Sequence, residues 1–178
     1  MYNRRPRLQG FLYTGFRRYF LTFCTDGRHK VFTNPSTVAC VREQILSAAH
    51  AQGVAILAYV FMPDHVHLLV EGKREDADLK SFVHLAKQKS GFAYSRSHHR
   101  RLWQASYFDR MLRDEEDTWD VIRYIVMNPV RANLVTTFTQ YAFLGSAVME
   151  RDELMQELAA IPATQWQPAK GAGDGTAL

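Results

Sequence analysis

Apolar and polar positions fall into short blocks of two periods along this chain. Arg18 to Thr25, RYFLTFCT, is dense in aromatic and β-branched residues and stops at Asp26-Gly27, which predicts a strand. After Asn34-Pro35, the segment STVACVREQILSAAHAQG places Val38, Val41, Ile45, Leu46 and Ala49 at helical spacing and stops at Gly53. VAILAYVFM, Val54 to Met62, reads as a buried strand, Pro63-Asp64 as a turn or kink, and HVHLLVEG, His65 to Gly72, as a further strand. These two either pair as a hairpin or form one bent strand. Leu79 to Tyr94 is helical, with Leu79, Phe82, Val83, Leu85, Ala86 and Phe92 as its apolar positions. A basic loop leads to YFDRMLR, Tyr107 to Arg113, whose alternation predicts a strand. Glu115 to Met127 is helical, with Trp119, Ile122, Ile125 and Val126 on or near its apolar face. It stops at Asn128-Pro129, because the residue before proline is pushed out of helical geometry.

The order β-α-β-β-α-β followed by a helix predicts an α+β fold, a ferredoxin-like βαββαβ sheet with an appended C-terminal helix. Residues 1–150 then form one domain that includes the N-terminal segment 1–17. Residues 151–178 are an extension whose end, QPAKGAGDGTAL, is expected to be disordered. No internal repeat interrupts this plan.

Composition narrows the class. A chain of 178 residues that is 47% hydrophobic and 12% aromatic suits one domain with a single core. Its two cysteines, Cys24 and Cys40, supply neither a disulfide framework nor a Cys-x-x-Cys metal pattern. The basic N-terminal stretch is not followed by an apolar signal region, and VAILAYVFM is the longest apolar run. A cytoplasmic protein with no membrane partner is the expectation.

Charge points to a partner. The net charge is +4 and the pI about 9.2. Arg4, Arg5, Arg7, Arg17 and Arg18 fall in an opening stretch without acids, interleaved with Tyr2, Phe11, Tyr13 and Phe16. A second cluster, RSHHRR, covers Arg96 to Arg101. Arginines neutralise phosphates and aromatic rings stack on bases, so the pattern suits single-stranded nucleic acid. Arg4, Arg5, Arg17, Arg18, Arg100 and Arg101 are the candidates for backbone contact. Tyr94, Trp103 and Tyr107 are candidates for stacking, with core packing the default for Trp103.

Two constellations could carry chemistry. His65 and His67 lie one residue apart in a strand, so they share a face and both imidazoles can reach one divalent ion. With 7 His in 178 residues, chance alone supplies about 0.3 His-x-His pairs per chain. The pair is therefore either a ligand set or two satisfied rings in a strand. Tyr124 and Asn128 are four apart, one turn along one helix face. The Asn128 amide oxygen suits Mg²⁺ or Mn²⁺, and a phenol beside a metal-bound phosphate can attack phosphorus. A core-edge tyrosine and a helix-capping asparagine fit the same spacing.

Taken together, FMPDHVHLLVEG, LWQASYFDRMLR and RYIVMNPVRANLV resemble the single-tyrosine HUH transposases, in particular the branch of REP-associated tyrosine transposases. The resemblance runs from about Arg18 to Val135, with the motifs in the family's order. It implies that His65, His67 and Asn128 are metal ligands, that Tyr124 is the nucleophile, and that Mg²⁺ or Mn²⁺ is the cofactor. It implies cleavage of single-stranded DNA next to a hairpin of REP-like repeats, through a 5′-phosphotyrosine link and a free 3′-OH; the sequence is compatible with a monomer or a homodimer. Lys87, in LAKQKS, is a further candidate to contact the phosphate or to assist proton transfer. The family often has asparagine where Asp64 stands and glycine where Asn133 stands. Asn tolerates the left-handed conformation that Gly would supply.

Two rivals remain at this point. One is a non-catalytic hairpin-binding regulator derived from a transposase, which would not need Tyr124. The other is a metal hydrolase using water. It lacks a clear general base, since a regular strand would turn Asp64 away from His65 and His67.

Overall fold

The computed structural model describes residues 13–113 and 118–161. Five antiparallel strands form one sheet in the order β4-β1-β3-β2-β5: β1 Arg18–Cys24, β2 Val54–Met62, β3 His65–Gly72, β4 Phe108–Met111 and β5 Leu144–Gly145. The helices are α1 Pro35–Ala51, α2 Leu79–His98, α3 Thr118–Val126, α4 Asn128–Arg131 and α5 Arg151–Ala160. The first six elements in chain order are the βαββαβ plan read from the sequence.

Alternation along the strands sorts the side chains into two cores. Tyr19, Leu21 and Phe23 of β1, with Val66, Leu68 and Val70 of β3, face α1 and α2. Phe20 of β1 and Leu69 of β3 face the other way, against Val121, Ile122, Ile125 and Val126 of α3 and Leu154 and Leu158 of α5. With both faces covered, β1 reads as a continuous apolar run rather than a polar-apolar alternation. In β2 the register with β3 shifts between Ile56 and Ala58. Ile56 therefore faces α1 and α2, while Ala58, Val60 and Met62 face α3. A bulge of this kind admits one extra residue and reverses the facing of the residues beyond it.

The β2–β3 connection resolves as a hairpin, with Met62 opposite His65 and only Pro63-Asp64 between them. The turn is pinned from outside. Thr25 N and Oγ1 both donate to the Asp64 carbonyl, at 3.0 and 2.9 Å, and Phe32 N donates to the Pro63 carbonyl at 2.9 Å. Helix starts follow the local chemistry. Asn34 caps α1 by accepting from Ser36 N, with Pro35 at the first helical position. Asp78 caps α2 through Lys80 N and Ser81 N.

Two helix ends and the facing of one residue differ from the sequence reading. α2 runs on to His98 rather than Tyr94, because the polar residues after Tyr94 stay on the helix and put Arg96 and His98 in its last turn, where cations are favoured. The helix expected to end at Asn128 breaks one residue earlier, at Met127, and resumes as α4 with Pro129 in its first turn, where a missing N–H costs nothing. Phe92, counted among the apolar face of α2, is 65% exposed. The expected helix start at Glu115 and the tail after Ile161 lie outside the described residues. No described helix is long and apolar enough to cross a membrane.

Candidate active site

His65 and His67 open β3 and project from the sheet face that carries α3. The strand period sets their common direction, and pairing with β1 sets their neighbours: Cys24 lies opposite His65 and Thr22 opposite His67. Thr22 Oγ1 is 2.8 Å from His67 Nδ1. On the other ring, His65 Nδ1 is 2.7 Å from Asp64 Oδ1. A carboxylate only accepts, so Nδ1 of His65 carries a hydrogen, and in the neutral ring Nε2 is the lone pair.

The two Nε2 atoms converge at 3.2 Å. Two nitrogens each about 2.1 Å from one ion lie about 3.0 Å apart at a right angle and about 3.4 Å apart at the tetrahedral angle. The observed gap falls between these. When Thr22 accepts from His67 Nδ1, two lone pairs face each other, an arrangement that favours a cation between them. Each ring is held by a hydrogen bond on its other nitrogen, the pattern that orients metal-bound histidines.

Electrostatics keep His67 neutral. Burial pushes its pKa well below the ordinary histidine value, and the charges of His65, Arg131 and Arg28 act in the same direction. Asp64 has the opposite balance. Burial alone would raise its carboxyl, but the hydrogen bond and charge of His65 and the Arg28 guanidinium hold it below the usual value. Arg28 Nε is 2.9 Å from Asp64 Oδ2, and its Nη1 reaches Cys24 Sγ at 2.8 Å. Asp64 is therefore turned toward His65 and does not face away, as a regular strand would require. It sits in the two-residue turn, outside the strand's alternation.

Tyr124 reaches this site through Phe20. The Phe20 ring stacks on His67 at 5.1 Å and meets the Tyr124 ring edge-on at 5.9 Å. Arg131, one α4 turn beyond Asn128, lies 3.9 Å over the Tyr124 ring and donates from Nη2 to the Tyr124 carbonyl at 3.0 Å. Tyr124 is 8% exposed. Asn128 donates from Nδ2 to the carbonyls of Tyr124 and Ile125, at 3.0 Å each, which turns its amide oxygen away from the helix. The amide nitrogen thus caps α3.

The other candidates are dispersed. Lys87 lies on α2, across the sheet, and its ammonium donates to the carbonyls of Gln104, Ala105 and Ser106 at 2.7, 3.2 and 3.0 Å. Burial, helped by Arg101, pushes its pKa down to about 8. Arg17 is exposed near the start of β1, and Arg18 pairs with Glu71 at 3.8 Å. That is the end of the sheet away from His65. Arg100 and Arg101 are exposed beyond α2, and Arg4 and Arg5 lie outside the described residues. Trp103 is core, donating from Nε1 to Ser90 Oγ at 2.9 Å. Tyr94, offered as a stacking residue, is instead buried with its ring stacked on His98 at 4.1 Å. No sequence pattern marks Thr22, Arg28, Phe20 and Arg131 as neighbours of this site. Their link to the histidines lies in strand register and helix docking, which a linear motif does not carry.

A family model described as transposase IS200 like matches residues 17–128, which include His65, His67, Tyr124 and Asn128. The chain belongs to the IS200-like transposase family. Its fold is similar to that of a REP-associated tyrosine transposase solved bound to a REP hairpin, with a TM-score of 0.64 at 19% identity over 78% of this chain and 81% of that one. A candidate transposase from Deinococcus radiodurans aligns with a TM-score of 0.49 at 20% identity over 72% of this chain and 92% of that one. No protein of curated function matches the chain. At 19% identity the hairpin-bound structure speaks for the fold alone.

Proposed function

We propose that this transposase cleaves and rejoins single-stranded DNA beside a hairpin, with Tyr124 as nucleophile, and that it belongs with the REP-associated branch of its family. The observation that carries this reading is the convergence of His65 and His67 at 3.2 Å on the sheet face against which the tyrosine helix packs. Their outer nitrogens are already engaged by Asp64 and Thr22, which orients the inner pair toward one point. His65 and His67, with the Asn128 amide oxygen, would hold Mg²⁺ or Mn²⁺. No group of three His, Cys, Asp or Glu side chains suited to a metal forms among the described residues, so an amide donor or the DNA completes the set. When bound, the ion supplies Lewis-acid polarisation of the scissile phosphate.

The chain's own residues do the rest. Asp64 and Thr22 fix the imidazoles, and Phe20 sets the spacing between His67 and the tyrosine. Arg131 brings positive charge beside the Tyr124 ring. The Tyr124 oxygen bonds to phosphorus as the bond to the 3′-oxygen breaks. The phenol gives up a proton and the 3′-oxygen takes one, leaving a 5′-phosphotyrosine. No water enters, so the reverse attack by a 3′-OH rejoins strands.

A water-using hydrolase fits less well. Among the described residues, the carboxylate in contact with the histidines is Asp64, which is committed to His65 and Arg28 and is not placed as a free base. The test is a denaturing gel of protein with labelled hairpin DNA, with Mn²⁺ and then with EDTA. A metal-dependent, detergent-stable protein-DNA band that Tyr124→Phe abolishes is the expected result. Cleavage that survives Tyr124→Phe would favour the hydrolase, and binding without cleavage the regulator.

A further inference from the structure

Across the sheet from the histidines, α2 and the loop after it enclose an open cavity of about 440 Å³. This lies within the roughly 300–1,000 Å³ of small-ligand pockets. Phe92, Trp103 and Tyr107 supply aromatic surface, Lys87 and Arg101 positive charge, and no described Asp or Glu lines it. Phe92 is the unusual member, since it holds a large ring in solvent in the middle of a helix. The Arg96 guanidinium stands 5.9 Å over that ring. Arg101 is exposed, with Nε donating to the Trp103 carbonyl at 2.8 Å. The Lys87 charge is fixed in the wall by three carbonyls, 5.7 Å from the Tyr107 ring centre. Flat aromatic surface with a cationic rim and no carboxylate complements a nucleobase and its phosphates.

A path leads from this cavity to the histidines. Tyr107 and Phe108 are consecutive and take opposite sides of the sheet at β4. Tyr107 meets Phe23 on the helix side at 6.1 Å, and Phe108 meets Phe20 on the histidine side at 6.2 Å. β4 is an edge strand, and Phe108 is 41% exposed. Two strand spacings, about 10 Å, separate β4 from the histidine strand. A DNA strand crossing the β4 edge thus covers the distance in a few nucleotides, over a run of rings.

We propose that the cavity between α2 and the loop 99–107 holds an unpaired nucleotide of the same DNA strand whose scissile phosphate lies at the histidine site. Its base stacks on Phe92, and Arg96 and Arg101 take the adjoining phosphates. Gln88 and Gln104 line the same cavity and offer amide groups to the base edge, which makes this position a source of sequence preference. The inference rests on the reading of the protein as acting on single-stranded DNA.

The experiment uses the full chain in EDTA, so that no cleavage occurs. Hairpin DNA carries a single-stranded flank with 5-iodouracil at one position at a time, and crosslinked peptides are mapped by mass spectrometry. One flank position should crosslink to Phe92 or Tyr107. Phe92→Ala should weaken binding of the flanked hairpin about tenfold, the scale of one lost stacking contact, with binding of the bare hairpin and the melting temperature unchanged. Flanked DNA that binds but crosslinks only to β3 and α3, or binds Phe92→Ala as tightly as wild type, overturns the inference and leaves the proposed function standing. Failure of every hairpin to bind, bare or flanked, overturns both.

Discussion

Replacing Asp64 separates a supporting group from an ordinary surface ion pair. Its carboxylate accepts from His65 Nδ1 at 2.7 Å and pairs with Arg28 at 2.9 Å. The Asp64 and Arg28 side chains are 22% and 34% exposed. Their pairing is therefore partly screened, and its share of folding stability is about 1 kcal/mol at most. The hydrogen bond to His65 acts elsewhere, on the orientation and basicity of Nε2. Losing such a partner weakens metal binding by about ten- to a hundredfold, or roughly 1.4–2.7 kcal/mol. Asp64→Ala should lose Mn²⁺ affinity on that scale and stay folded. Asp64→Asn keeps an oxygen acceptor for the N–H and drops only the charge, so its loss should stay below about tenfold. Calorimetric titration of the DNA-free proteins with MnCl₂, beside thermal melts, reads both quantities. Wild type, Ala and Asn variants binding Mn²⁺ alike would refute the reasoning and reduce Asp64 to a turn residue with a salt bridge.

Other expectations rest on single residues. In EDTA, the unfolded chain protonates His67 below about pH 6.5, whereas burial keeps the folded ring neutral to much lower pH. The unfolded state then binds more protons, so stability is level above that value and falls as pH drops below it. Urea melts at pH 7.5 and 5.5 should show a smaller drop in His67→Gln; equal drops would contradict the depressed pKa. A Cβ on Gly72 would sit 2.0 Å from the Gly15 carbonyl oxygen, which is backbone and cannot swing aside. Gly72→Ala should cost about 1–3 kcal/mol by denaturant titration. Asn133 holds φ at 55°, so Asn133→Val should cost about 1–2 kcal/mol, and Asn133→Gly should stay within about 1 kcal/mol of wild type.

The periodicities that mark strands and helices survive in the sequence because each is local. Hence β1, α1, β2, β3 and α2 are legible to within a few residues, along with the plan they imply. The features that escape depend on contacts between distant residues. β5 has two residues and exists only because it pairs with Tyr59 and Val60. The bulge near Leu57 has no local signature, so the facing of β2 cannot be assigned from sequence. At the site, the spacing of His65 and His67 announces a shared face. Their partners Thr22 and Arg28 are set by register, and Asp64 is misjudged when strand alternation is extended into a turn. Phe92 misleads for a related reason: helical spacing marks which residues could pack, not how far the opposing surface extends.

The two-sided sheet also has a temporal meaning. As the chain emerges from a ribosome, every fully buried side chain of the α1–α2 core is present once β4 has been made. Phe20, Val60 and Leu69 on the other side wait for α3, and Leu154 and Leu158 come later still. For that interval the nascent protein carries a half-finished sheet whose histidine-bearing face lacks the cover of α3 and α5. It is then most open to chaperones, to aggregation and to mispairing with a second nascent copy. The covering that brings the tyrosine to the histidines is also the step that ends this exposure.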